Sequence, residues 1–143
     1  MEAKFDKIVV PIGKKILTPE QAKLVDKKAL IRFVTLHEVS HTLGRGFVYG
    51  NDKLTVRQAL KEKYSAIEEC KADILGIYNQ KVLFDLGIFT KDDLRKAMMT
   101  YLPGLYRSIR FGVEEAHGQA NLIQLNFLRE YGAIDKSPDG KFT

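Results

Sequence analysis

The stretch Thr35–Gly46, TLHEVSHTLGRG, decides how the chain is read, because it holds two of only three histidines in 143 residues, four positions apart. On a helix, four residues is slightly more than one turn, so His37 and His41 project from one face and can grip a single ion. Glu38 leaves the helix about 100° further round, beside such an ion rather than on it. This is the HExxH spacing, in which two neutral imidazoles bind zinc and the glutamate handles a proton of the metal's water. Its context favours a helix. Ala29, Leu30, Phe33, Val34 and Leu36 carry an apolar helical pattern into the motif, and Gly44 sits where a left-handed C-cap falls.

Around that motif the composition is ordinary for a soluble globular domain, with 45% hydrophobic and 29% charged residues. The length suits a single domain with its own core. One cysteine, Cys70, excludes an internal disulfide and points to a reducing, cytoplasmic setting. The N-terminal apolar run covers only Ile8 to Ile12, is interrupted by Pro11 and is flanked by Lys7 and Lys14. It is too short for a signal peptide or a membrane span. A net charge of +5 raises nucleic acid as a partner, but the lysines are spread along the chain and interleaved with acids. That pattern marks a solvated surface, so neither nucleic acid nor membrane is expected.

The rest of the chain reads as helices. Residues 3 to 17 place Phe5, Ile8, Val9, Ile12 and Ile16 at helical spacing, while Pro11 and Gly13 leave a kinked helix and a mixed segment equally open. Thr18-Pro19-Glu20-Gln21 is a capping box, so a helix starts near Pro19, and it or a successor from about Asp26 carries the motif to Leu43. Residues 44 to 54 form a loop or short hairpin. Thr55 and Gln58 make a second capping box, and the pattern then runs without a breaker from Val56 to Leu86, predicting one long helix closed by Gly87. Thr90 with Asp93 opens another, which Pro103 and Gly104 bend or stop near Leu102. A last helix runs from about Val113 to Tyr131, closed by Gly132. The tail DKSPDGKFT reads as a tight turn entering a strand that is then cut off, as in one piece of a longer protein.

A catalytic zinc takes three protein ligands and leaves a place for water, so a third donor is needed. The HExxHxxGxxH version fails, because Phe47 stands where its third histidine belongs. The long helix offers YSAIEECKADILGIY, Tyr64 to Tyr78. Glu69 and Asp73 align at i and i+4, with small Ala66 and Gly76 on either side to let two helices approach. Glu69 is the expected third ligand, and Glu68 and Asp73 are placed to accept hydrogen bonds from the histidine nitrogens that face away from the metal. Cys70 faces about 100° from Glu69 and reads as a buried small side chain.

HEVSHTLGRG, YSAIEECKADILGIY and the later RSIRFGVEEAHGQANLIQLNFL together resemble the dipeptidyl-peptidase III family of zinc metallopeptidases. The resemblance implies a mainly α, zincin-like lobe in which the HExxH helix packs on a long glutamate-bearing helix. It implies zinc on His37, His41 and Glu69, Glu38 as the catalytic glutamate, Glu68 and Asp73 as outer acids, and a peptide as substrate. It also puts His117, in the Ala116-His117 pair, at the histidine that steadies the oxyanion and substrate. Read from the residues alone, His117 is a satisfied histidine in a polar stripe of Glu114, His117, Asn121 and Gln124. That stripe lies opposite Val113, Ala116, Ala120, Ile123 and Phe127.

Three departures from the family accompany the resemblance. The five-residue motif is similar to a bacterial and plant-like branch, some of whose members are fused to Nudix domains. Lys71 and Asp73 stand where the better-known branch has arginine and glutamate. Family members are several times longer, so residues 1 to 143 form one helical lobe whose second lobe is missing. The implied activity is release of dipeptides by metal-activated water. Two alternatives stay open: a helical module keeping a structural zinc, and a metal-dependent hydrolase of a non-peptide substrate in a Nudix-fused protein. A structural site is normally closed by four ligands and needs no general base, so Glu38 weighs against the first.

Overall fold

The N-terminal segment is helical throughout, which settles the choice left open by Pro11 and Gly13. In the computed structural model, which describes residues 2–142, α1 (Glu2–Lys4) leads into a π-helical turn (Phe5–Val9) and then α2 (Val10–Ile16). Proline lacks an N–H and its ring collides with the carbonyl four residues back. The wide turn just before Pro11 absorbs that conflict, with the Val10 amide donating to the Phe5 carbonyl.

Thr18 caps α3 (Pro19–Ala22) with the expected reciprocal bonds to Gln21. A separate helix, α4 (Lys27–Ser40), carries the motif, and its cap is Asp26, whose carboxylate accepts from the Ala29 amide at 2.8 Å. It ends at Ser40 rather than at Leu43. The Thr42 and Leu43 amides bond three residues back, tightening the chain before Gly44 turns it at φ +93°. The next segment is the short hairpin, β1 (Phe47–Val48) paired antiparallel with β2 (Asn51–Thr55).

The single long helix from Val56 to Leu86 is not what forms. Thr55 caps α5 (Val56–Leu60), the chain tightens into a 3₁₀ turn at Lys61–Lys63, and α6 (Tyr64–Asp85) follows. Lys61 makes the break at φ +51°, a conformation that L residues avoid and that no glycine or proline announces. The break lets α6 lie along α4. It also puts Glu69 in the second turn of α6 instead of the middle of a long helix.

Thr90 and Asp93 cap α7 (Lys91–Ile109), which neither stops at nor ends before Pro103. Leu102 and Leu105, on either side of the proline, are both core residues, and Pro103 is itself buried against Gly13 of α2. Burying a leucine is worth about 1.5–3 kcal/mol, enough to offset most of the roughly 3 kcal/mol that an interior proline costs. The last helix, α8 (Ala116–Glu130), starts three residues later than Val113 and is closed by Gly132 at φ +65°.

The tail turns at Ser137–Gly140, and Phe142 then bridges both Lys136 and Leu17, with its amide bonded to the Ile16 carbonyl. Phe142 joins Leu17, Leu102, Leu105 and Leu125 in the main core, while Phe5, Val9 and Leu30 form a second cluster. The result is a mainly α lobe whose principal packing is α4 on α6, with α7 and α8 closing around them. Among the described residues no helix is long and apolar enough to cross a membrane.

Candidate metal centre

Two adjacent helices supply the site. His37 lies in the last turn of α4 and His41 is its C-cap, still helical at φ −62° and ψ −27°, so both rings point the same way. Their Nε2 atoms are 3.1 Å apart and the rings are nearly perpendicular. From α6, Glu69 brings Oε2 to 3.3 Å from His37 Nε2 and 3.8 Å from His41 Nε2. Bonds of about 2.0–2.2 Å from one tetrahedral ion to such donors would set the donors roughly 3.3–3.5 Å apart, so the three atoms already describe one face of a coordination sphere.

The outer nitrogens are held by carboxylates. His37 Nδ1 lies 2.7 Å from Asp73 Oδ1, and His41 Nδ1 lies 3.0 Å from Glu68 Oε1. A carboxylate only accepts, so both Nδ1 atoms carry a proton and Nε2 is the nitrogen each ring turns to the centre as a ligand. Glu69 Oε2 is buried there without a hydrogen bond. Three electron-rich atoms facing one another repel unless a cation sits among them, which is the chemistry of a divalent-metal site.

Burial opposes ionisation of Glu68, but hydrogen bonds from Lys71 and His41, with their charges, outweigh it and hold the carboxyl below its ordinary range. Lys71 also donates to the Leu43 carbonyl, tying the end of the motif to α6. For His37, the hydrogen bond to Asp73 raises the imidazole above 6.5. Burial works against that rise, while the charges of Asp73, Glu69 and Glu38 reinforce it. Cys70 is half-buried, and desolvation followed by the charge of Asp73 pushes its thiol up, away from ligand or nucleophile chemistry.

Glu38 is exposed and lines the same cleft as His37 and His117. His117 enters from the first turn of α8, with Nε2 3.1 Å from Glu69 Oε2. His37, Glu69 and His117 therefore also lie within ligand reach of one another, their donor atoms within 4.8 Å. We favour His41 over His117 as the second imidazole, because Glu68 braces His41 while the His117 side chain is 57% exposed.

The buried side of α8 draws on both stripes, Ala120 of the apolar one included. Asn121 and Gln124 are buried, whereas Ile123 and Phe127 of the apolar side are 51% and 56% exposed. Tyr101 of α7, which no spacing singled out, reaches this polar side and donates to Gln124 Oε1. Gln124 Nε2 in turn donates to Asp73 Oδ2 at 2.9 Å. Burial, then the negative charge of Asp73 and that of Cys70, pushes the Tyr101 phenol well above its usual value, so it stays a hydrogen-bond donor. Gly118, also missed, is required by contact. A Cβ there would stand 2.1 Å from the Gly112 carbonyl oxygen.

No protein-family profile matches the chain. Among curated proteins it is 38% identical over 144 residues to Nudix hydrolase 3 of Arabidopsis thaliana, a match covering 99% of this chain and 19% of that protein. Among solved structures it superposes with a TM-score of 0.94 on dipeptidyl-peptidase III from Caldithrix abyssi, at 41% identity, covering 99% of this chain and 28% of that one. For dipeptidyl-peptidase III from Corallococcus sp. strain EGB the TM-score is 0.93 and the identity 42%, covering 99% and 26%. The chain thus spans about a fifth of the curated relative and about a quarter of the solved ones.

Proposed function

The chain resembles the dipeptidyl-peptidase III family along nearly its whole length, and we propose that it is the catalytic lobe of a zinc-dependent metallopeptidase acting on peptides. The observation that supports this reading is the buried Glu69 Oε2, facing the Nε2 atoms of three imidazoles, two of which are braced from behind by Asp73 and Glu68. His37, His41 and Glu69 would hold the ion. When bound, zinc supplies Lewis acidity and lowers the pKa of a coordinated water from 15.7 to about 7.

The remaining steps belong to side chains of this lobe. Glu38, exposed in the cleft, takes the proton of the attacking water and delivers it to the leaving amine, a role worth about 10²- to 10⁴-fold. His117 donates a hydrogen bond to the oxygen on which charge develops, a contact whose loss costs roughly 3–4 kcal/mol in comparable sites. Asp73 and Glu68 keep both rings turned toward the ion. Release of dipeptides, a second lobe that recognises the peptide's end, and a cytoplasmic location extend this reading.

A second reading rests on the name of the plant relative. The same centre would then hydrolyse a non-peptide substrate within a larger protein. The test is zinc content and dipeptide release for the full-length protein carrying this lobe, with and without Glu38→Ala. Hydrolysis that falls by at least about 10²-fold while zinc is retained is the expected result. Retained zinc with no peptide cleavage by the intact protein would turn the reading to a non-peptide substrate or a structural ion.

A further inference from the structure

The metal centre is braced by more than its adjacent carboxylates. Asp73 uses its two oxygens for different tasks: Oδ1 accepts from His37 Nδ1 at 2.7 Å and Oδ2 accepts from Gln124 Nε2 at 2.9 Å. Gln124 Nε2 donates as well to the Ala120 carbonyl at 3.0 Å, and its Oε1 receives the Tyr101 hydroxyl. The amide orientation follows from these partners. Turned over, its oxygen would face a carboxylate and a carbonyl, both acceptors. His37, Asp73 and Gln124 are 7%, 6% and 3% exposed, so water cannot replace a missing partner.

The cost of this arrangement is visible on α8. The helix turns Ala120, Asn121, Gln124 and Leu125 inward and leaves Ile123 and Phe127 about half exposed, so two amide side chains take buried area beside apolar ones. Burying an amide costs free energy unless it is hydrogen-bonded, and Gln124 meets that condition through Asp73, the Ala120 carbonyl and Tyr101.

We propose that Gln124, clamped by Tyr101, is a positioning residue that fixes the Asp73 carboxylate and through it the rotation and tautomer of His37 at the metal. The proposal rests on the metallopeptidase reading of the centre and deepens it. Gln124 touches neither ion nor substrate. It acts only by denying Asp73 any other orientation, so that His37 keeps its proton on Nδ1 and its lone pair on Nε2.

The test is a double-mutant cycle read as the zinc dissociation constant, obtained by chelator competition on the full-length protein. Gln124→Leu is expected to weaken zinc about tenfold, at the low end of the range for outer partners, and Asp73→Ala more strongly within about 10- to 100-fold. In an Asp73→Ala background, where no side-chain oxygen is left to receive either hydrogen bond, Gln124→Leu should change nothing further. Unchanged affinity in Gln124→Leu, or equal losses in both backgrounds, overturns the proposal in favour of a packing role. Should Gln124→Leu fail to fold, Tyr101→Phe removes only the clamping hydroxyl. That variant is expected to weaken zinc about threefold, the effect of one net hydrogen bond, and unchanged affinity there also overturns it. A wild-type protein that binds no zinc overturns the metallopeptidase reading itself, a result distinct from a wild type that binds zinc no better than its variants.

Discussion

Gly76 of α6 lies directly against the backbone of His37 on α4. A Cβ at position 76 would stand 3.1 Å from the His37 amide nitrogen and 3.3 Å from its Cα. Backbone cannot rotate aside, so the contact sets how closely the two helices approach at the metal site. Gly76→Ala gains up to about 1 kcal/mol of helix propensity and meets an overpacking cost of about 1–3 kcal/mol. A net loss of about 1 kcal/mol in thermal unfolding, with weaker zinc binding, is expected. A variant that is more stable and binds zinc as well as wild type removes the close approach as a requirement.

Glu69→Gln should separate stability from function. The substitution removes a buried, charged oxygen that has no hydrogen bond. The metal-free chain should unfold at a temperature close to that of wild type, because the amide gives up the ion pairs to His37, His41 and His117 while relieving the carboxylate oxygen of its missing hydrogen bond. Zinc affinity should fall by more than the roughly 10- to 100-fold expected for an outer partner, because a direct ligand is lost. Metal content at wild-type level would exclude Glu69 as a ligand.

Gly118→Ala places a methyl 2.1 Å from the Gly112 carbonyl, an overlap that either the preceding loop or the first turn of α8 must relieve. His117 is the adjacent residue on that turn. Peptide hydrolysis is expected to drop about 10- to 100-fold while zinc, held by α4 and α6, stays bound. Equal loss of zinc and activity in this variant would instead show that the displacement runs along α8 as far as Gln124 and its bond to Asp73.

The His37–Asp73 pair gives the metal-free chain a pH signature. The hydrogen bond to Asp73 raises His37 above 6.5, so its stabilisation is fully present below the unfolded value and is lost as pH rises through the folded one. Without metal, and in a chelator, the thermal midpoint advantage of wild type over Asp73→Asn should be largest below pH 6.5 and shrink as pH rises above it. Zinc needs the neutral ring, so its affinity should move the opposite way and weaken as pH falls. An advantage that grows with pH in the chelator would contradict the pairing.

The features legible in the sequence were local ones. Thr18, Thr55 and Thr90 each cap a helix whose third residue completes the bond, and Gly87 and Gly132 close helices at positive φ, as their positions predict. Such signals are read within a few residues because their hydrogen bonds close within one turn. The convergence of His37, His41 and Glu69 was legible for a related reason. Histidine spacing on one helix and small residues beside a carboxylate on another leave little choice of facing sides.

What only the tertiary structure decided lies where distant parts of the chain compete. Lys61 breaks a pattern that has no breaker, and α7 passes a proline that by itself would end it because Leu102, Pro103 and Leu105 are buried against other parts of the chain. Which residues of α8 face inward could not come from its periodicity, which separated a polar stripe from an apolar one without deciding which is buried. Asp73, 51 positions before Gln124, supplies the hydrogen bond that holds the polar side in, and Tyr101 reaches the same amide from a third helix. By itself the sequence determined where the capped helices begin and that His37 and His41 share one face. The choice among buried partners was made by contacts that exist only once four helices are assembled.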